Sequence, residues 1–201
     1  MRHEIRISGP AFGLRPIELE DAEFMAALRN AENNLYLHPT SPDPEDQRRY
    51  IRRYFERPGD YYFIIERSSD GRSEGIVAIY DVESEARTGE WGRWILSEGS
   101  MAAVETALLV YRVGFGKLGI ETLRTMTPRE NESVLAFHAS CGAKEIARHT
   151  RHFNFGERIY DAVEQHMTRD QWRENEPGVL TQAEQVARFL SRSRRETRRR
   201  A

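Results

Sequence analysis

Cysteine is nearly missing: Cys141 is the only one in 201 residues. A single thiol excludes an internal disulfide and any structural zinc site built on paired thiolates. Lysine is almost as scarce, since of 30 basic residues only Lys117 and Lys144 are not arginine, a bias read as coding composition and given no function. No apolar run approaches the roughly 18 residues that a membrane-spanning helix needs, and Met1-Arg2-His3-Glu4 lacks the charged-then-apolar layout of a secretory signal. The expectation is a cytoplasmic protein with no membrane partner. Excess charge is also lacking: 30 basic against 32 acidic residues leave −2, which argues against a chain whose main task is coating nucleic acid. His149 and His152 have no carboxylate pair at a recognisable spacing, so no metal site is expected.

What is present suffices for a self-supporting core, with 39% hydrophobic and 10% aromatic residues. Phe12-Gly13-Leu14-Arg15-Pro16 reads as a strand, and Glu20-Asp21 opens a helix with Phe24, Met25 and Leu28 on one face. Ser41-Pro42-Asp43-Pro44-Glu45 supplies capping residues for a second helix to about Phe55. Tyr61 to Arg67 and Gly75 to Val82 are β-rich runs around the turn residues Ser68-Ser69-Asp70-Gly71, which predicts an antiparallel hairpin. Gly89 to Leu96 is a further strand. It leads through Ser97-Glu98-Gly99-Ser100 into one long helix, whose apolar positions run from Met101 to Phe115 and which ends near Gly119. Thr122 to Thr127 is a strand stopped by Pro128, Asn131 begins a helix that ends at Cys141-Gly142, and Lys144 to Phe155 with Arg158 to Met167 predict a closing hairpin. Glu176-Pro177-Gly178 reads as a linker between a compact domain, residues 1–176, and an appended helix with an arginine-rich tail, residues 177–201.

Two segments together resemble the GCN5-related N-acetyltransferase (GNAT) superfamily. Asn131-Glu132-Ser133-Val134-Leu135-Ala136-Phe137-His138-Ala139-Ser140-Cys141-Gly142-Ala143 is similar to its late signature: Asn131 opens the helix, His138 takes the aromatic position and Gly142 follows. The order strand, turn, long helix, short strand is the second likeness. Leu14-Arg15-Pro16 with Asp21, and His166-Met167-Thr168-Arg169-Asp170-Gln171-Trp172, resemble the two ends of the branch containing ribosomal-protein N-terminal and amino-sugar N-acetyltransferases. The resemblance implies an α/β fold: a mixed, mostly antiparallel sheet of six or seven strands with a splayed parallel pair, helices on both faces, and here a C-terminal helical extension. It also implies transfer of an acetyl or other acyl group from a coenzyme A thioester to an amine of a small molecule such as an amino sugar. Protein N-terminal acetylation, a carrier-protein or longer acyl donor, and a catalytically weakened binding module are the other readings.

Carried onto this sequence, the resemblance gives donor-binding roles to Arg93, Trp94, Ile95 and Leu96 on the splayed strand and to Ser100, Met101, Ala102 and Ala103 at the long helix's amino end. Asn131 and Phe137 on the signature helix join them. Asn131 is read first as that helix's side-chain cap. The family's Gln/Arg-x-x-Gly-x-Gly/Ala loop is altered here to Ser97-Glu98-Gly99-Ser100-Met101-Ala102-Ala103, which lacks the basic residue and puts Glu98 where a pyrophosphate would arrive. Glu90 is the first candidate base, with alternation putting it on one strand face with Gly92 and Trp94; its other reading is a solvent-facing carboxylate at a strand start. His149 and His152 are alternative bases. His138 falls where many relatives carry a tyrosine that protonates the departing thiolate. Histidine titrates near 6.5 and such a thiol at about 8.5, so hydrogen-bond donation competes with proton transfer as its role, and packing is the third reading. Cys141 reads as packing. The run Arg194 to Arg200 reads as a solvated helix end rather than a nucleic-acid grip. The acceptor is expected to be chosen by the loops Asn33 to Pro44 and Val82 to Thr88, and the closing hairpin offers an edge for a homodimer.

Overall fold

The computed structural model describes residues 2–31 and 36–200, the side chains of 194–200 excepted, so Asn33 at the start of the first acceptor loop lies outside the described residues. Runs of branched and aromatic residues form one sheet with β1 (Ile7–Ser8), β2 (Phe12–Pro16), β3 (Tyr61–Arg67), β4 (Ser73–Glu83), β5 (Thr88–Leu96), β6 (Thr122–Pro128), β7 (Lys144–Phe155) and β8 (Arg158–Thr168). Their order is β1-β2-β3-β4-β5-β6-β8-β7. The strand count is eight rather than six or seven because the lead segment adds a two-residue edge, Ile7 and Ser8 pairing with Leu14 and Gly13. Every neighbouring pair is antiparallel except β5 and β6.

Alternation along these strands feeds two cores. On one face α1 (Ala22–Arg29) and α2 (Pro44–Tyr54) cover Ile17, Met25, Ile51, Tyr62, Ile64 and Ile76. α1 follows a tight turn in which Arg15 grips Asp21 through two hydrogen bonds of 2.8 and 2.7 Å, while Asp21 Oδ2 accepts the Glu18 N–H. α2 starts as its sequence predicts, with Asp43 accepting the Glu45 N–H and Pro44 in the first turn. On the other face α3 (Ala103–Tyr111), α4 (Glu132–Ser140) and α5 (Arg169–Arg200) enclose a larger core around Trp91, Leu108, Tyr111, Leu123 and Trp172. Glu105 is buried in the first turn of α3, where its carboxylate accepts the N–H groups of Ala11 and Phe12. α3 is thereby tied to the start of β2.

Two expectations about helices are corrected. The long helix is regular only from Ala103 to Tyr111 and widens into π-type turns over Arg112–Lys117. Gly114 and Gly116 fall in this stretch, and Gly114 lets the backbone press on β6, where an added Cβ would lie 2.4 Å from Leu123 Cδ1. The linker is absent as well: Pro177 sits inside α5, which continues unbroken. Burial outweighs the proline penalty there, because Trp172, Val179 and Ala183 all enter the α3-side core, and Arg112 Nε binds Glu176 Oε1 at 2.7 Å. The expected appendage is thus the second half of a docked helix.

Pro177 removes an N–H from the interior of α5 at a cost of about 3 kcal/mol relative to alanine. Pro177→Ala is expected to stabilise the protein by about 1–3 kcal/mol in urea unfolding. Destabilisation would mean that a bend at Pro177 is what docks α5.

Candidate active site

β5 and β6 hold together for three register pairs only: Thr88 with Thr122, Gly89 with Leu123, and Glu90 with Arg124. Beyond them β6 keeps its other edge bonded to β8 through Pro128, and β5 keeps its other edge on β4 through Leu96. The two facing edges part. Between them opens a cleft of about 300 Å³ whose walls include Trp94, Leu96, Thr125, Pro128, Asn131 and His138. Proline at the end of β6 suits this divergence, having no N–H to offer a neighbouring strand.

A bulge in β5 sharpens the opening. Ile76 pairs with Ile95 and Ala78 with Gly92, so β5 spends one residue more than β4 over this stretch. Arg93 carries the left-handed turn, with φ of 48°. Its side chain is clamped: Nη1 lies 2.8 Å from both Asp60 oxygens, and the guanidinium sits 4.2 Å from the Tyr80 ring centroid. Burial opposes this charge, but Tyr50 and the Asp60 carboxylate outweigh it and hold the guanidinium protonated. The bulge also corrects the alternation expected for β5. Glu90 and Gly92 face the α1/α2 side, Glu90 bonding to Tyr80 and Gly92 lying against the same hydroxyl, whereas Trp94 joins Trp91 in the α3-side core with ring centroids 5.5 Å apart. One extra residue turns Trp94 to the opposite face.

His138 projects from α4 into the cleft wall, 4% exposed, with its ring edge-on to Trp91 at 4.8 Å. Burial drops its pKa to about 4, so the ring is neutral at physiological pH. Its Nδ1 has no hydrogen-bond partner among the described residues, and neither do three other buried atoms of cleft-wall residues, Thr125 Oγ1, Trp91 Nε1 and Trp94 Nε1. Unpaired buried polar atoms cost about 1–3 kcal/mol each, so four on the walls of one slot mark a place built to receive polar atoms. Asn131 lines the cleft too. Its side chain does not cap α4, however: Oδ1 instead accepts from Ser133 Oγ, and the Asn131 carbonyl closes the first turn. Cys141 is buried, its thiol pushed up to about 11 by burial, which leaves it inert packing.

Arg93, Trp94, Ile95, Leu96, Asn131 and His138 therefore meet around one cleft, whereas Glu90, Phe137 and Ser100 to Ala103 are not among its walls. Phe137 backs Trp94 at 5.1 Å. Ser100 to Ala103 form the approach to α3; Ser100 Oγ is occupied by the Ala102 N–H, Ala102 is fully buried, and Met101 is exposed. Glu90 stands where the strands part, its two oxygens held by Tyr80 Oη at 2.5 Å and Arg124 Nε at 3.1 Å. His149 is likewise engaged: it and His166 bind the two oxygens of Glu164 at 2.7 and 2.6 Å. Burial raises the Glu164 pKa, but these two imidazoles outweigh it and hold the carboxyl below its usual range. Asp60, Tyr80, Arg124 and Glu164 escape sequence reading, because each acquires its partner only through sheet register. Among the described residues no group of three or more His, Cys, Asp or Glu is arranged to hold a metal ion.

The depressed His138 pKa has a consequence for stability. A histidine neutral in the fold but titrating near 6.5 when unfolded contributes fully above that pH and loses its contribution as pH falls toward 4. His3, lowered to about 4 chiefly by burial, acts in the same direction. Thermal stability is expected to fall across this window. His138→Phe should flatten the fall by up to about 3 kcal/mol; an unchanged acid limb would place the titration elsewhere.

The geometry agrees with the comparisons. Residues 12–144, more than half of the chain, match the family model described as acetyltransferase (GNAT) domain. The solved structure of apo FdhC, a nucleotide-linked sugar GNAT, is 32% identical over 90% of this chain and 98% of its own, with a TM-score of 0.75. The spermidine N-acetyltransferase from Vibrio cholerae, in complex with CoA and spermine, superposes with a TM-score of 0.72 at 17% identity over 80% of this chain and 97% of its own, a likeness of fold. No curated protein matches the chain. The splayed parallel pair, the bulged strand and the signature helix over them belong to a member of the GNAT acetyltransferase family.

Proposed function

We propose that the protein transfers an acetyl or closely related acyl group from a coenzyme A thioester to the amine of a small sugar-like acceptor. The observation that carries this reading is the parting of β5 and β6 after Glu90 and Arg124, which leaves two strand edges and four side chains with an unpaired polar atom around one slot. The slot fits a pantetheine arm, whose amides can bond an open strand edge as an added strand would. The 32% identity to a nucleotide-linked sugar GNAT supports a sugar amine as acceptor. The first-turn N–H groups of α3 and the open conformation at Gly99, φ 72°, would receive the donor's phosphates despite Glu98.

The thioester supplies an activated acyl carbon; the protein supplies orientation and charge. The clamped bulge at Arg93 lies in the cleft wall, where a β5 N–H not bonded to β4 would stabilise negative charge developing on the carbonyl oxygen. His138, neutral, donates a hydrogen bond toward the departing sulfur rather than surrendering a proton from an imidazolium. Glu90 receives the amine's proton by way of water on the cleft floor, with Arg124 and Tyr80 fixing its orientation.

Purified protein is expected to bind acetyl-CoA by calorimetry and to release thiol when given amino sugars, with the product heavier by one acetyl group. No binding at high micromolar donor, or no thiol release with any sugar amine, would overturn the reading. Arg93→Met should keep the fold while lowering turnover by at least about tenfold, since it unlocks the bulge in the cleft wall. Glu90→Gln should lower kcat by about a hundredfold with little change in donor affinity; full activity in this variant would remove Glu90 from the proton path.

A further inference from the structure

A second cavity, of about 350 Å³, lies on the α1/α2 side of the sheet, and Arg93 stands in the wall of both this cavity and the cleft. Its other walls carry Arg29 from the end of α1, Arg53 and Tyr50 from α2, and Thr40 and Tyr62. The charges there do not cancel. Arg93 is neutralised by Asp60, and Asp46, the single carboxylate among the lining residues, is taken by Arg49. Among the described residues Arg29 reaches only neutral groups, the His38 carbonyl at 3.4 Å and the Tyr62 hydroxyl, and the Arg53 side chain has no ion-pair or hydrogen-bond partner. Thr40 Oγ1 is buried in the same wall without a partner among the described residues.

Two guanidinium groups with no counter-charge among the described residues and one hydroxyl without a partner there, gathered in a concave wall, are the recognition chemistry of a phosphate oxyanion. We propose that this cavity binds the phosphate or diphosphate of the acceptor, so that the amine reaching the cleft is carried on an anionic small molecule. This rests on the acyl-transfer reading above. It also sets an order of preference: a polyamine would bring its cations against Arg29 and Arg53, where like charges repel and the one carboxylate among the described lining residues, Asp46, is already paired. The shared wall at Arg93 gives the two sites continuity, because the residue whose backbone bulge faces the slot also borders the anion cavity.

Titration of the full chain with uridine diphosphate and with inorganic pyrophosphate, each with and without saturating coenzyme A, tests the site. Saturation with coenzyme A removes competition at the α3 phosphate position. Binding to the coenzyme-saturated protein is expected, weakened about tenfold or more by Arg29→Gln and by Arg53→Gln and further by added salt, with coenzyme affinity unchanged. Arg53 is exposed on α2, so its variant should fold even if the Arg29 variant does not. Absence of diphosphate binding to the saturated protein, or binding that Arg53→Gln leaves unchanged, would overturn the proposal. Failure of coenzyme A itself to bind would instead strike the transfer reading, and the titrations without it would still decide the anion site.

Discussion

β6 can bond a parallel neighbour only as far as Arg124. Past that residue its free edge has no partner strand, its bonded edge belongs to β8, and Pro128 closes the strand with a residue that has no N–H to give. β5 leaves at the same level, because β4 holds its far edge through a register that includes an extra residue at the Arg93 bulge. A sheet that parts in its middle needs packing that spans the gap. The α3-side core supplies it, joining Phe12, Phe63, Val77 and Trp91 of one half to Leu123 and Met167 of the other, while α1 and α2 back the opposite face of β3 to β5.

The cleft is expensive to maintain. A non-glycine residue with positive φ costs about 1–3 kcal/mol, and so does each unpaired buried polar atom. The Asp60 ion pair and the Tyr80 ring hold Arg93 in its strained conformation, and Trp91, Trp94 and Phe137 fix the His138 ring. Strain kept in place by surrounding structure and polar atoms left unpaired in a buried wall are features of a site arranged before its ligand arrives.

The sequence made part of this legible. Strand patterns, the capping residues of α2 and the segment from Asn131 to Gly142 are local signals, and each appears close to where local rules put it. Strict alternation failed at Trp94, because one inserted residue in β5 is invisible to a period-two reading. Proline as a stop signal failed at Pro177, where buried Trp172, Val179 and Ala183 outweigh it. Asp60 and Arg124 could not be found, since Asp60 lies 33 positions from Arg93 and Arg124 lies 34 positions from Glu90, and nothing local predicts their meeting.

Hydrogen exchange at individual backbone amides, with and without coenzyme A, reads the parted strand edges directly. The account predicts new protection within Arg93 to Leu96 on donor binding, while Thr88 to Glu90, already bonded to β6, change little. A donor that binds yet leaves the β5 edge exchanging at its original rate would contradict it.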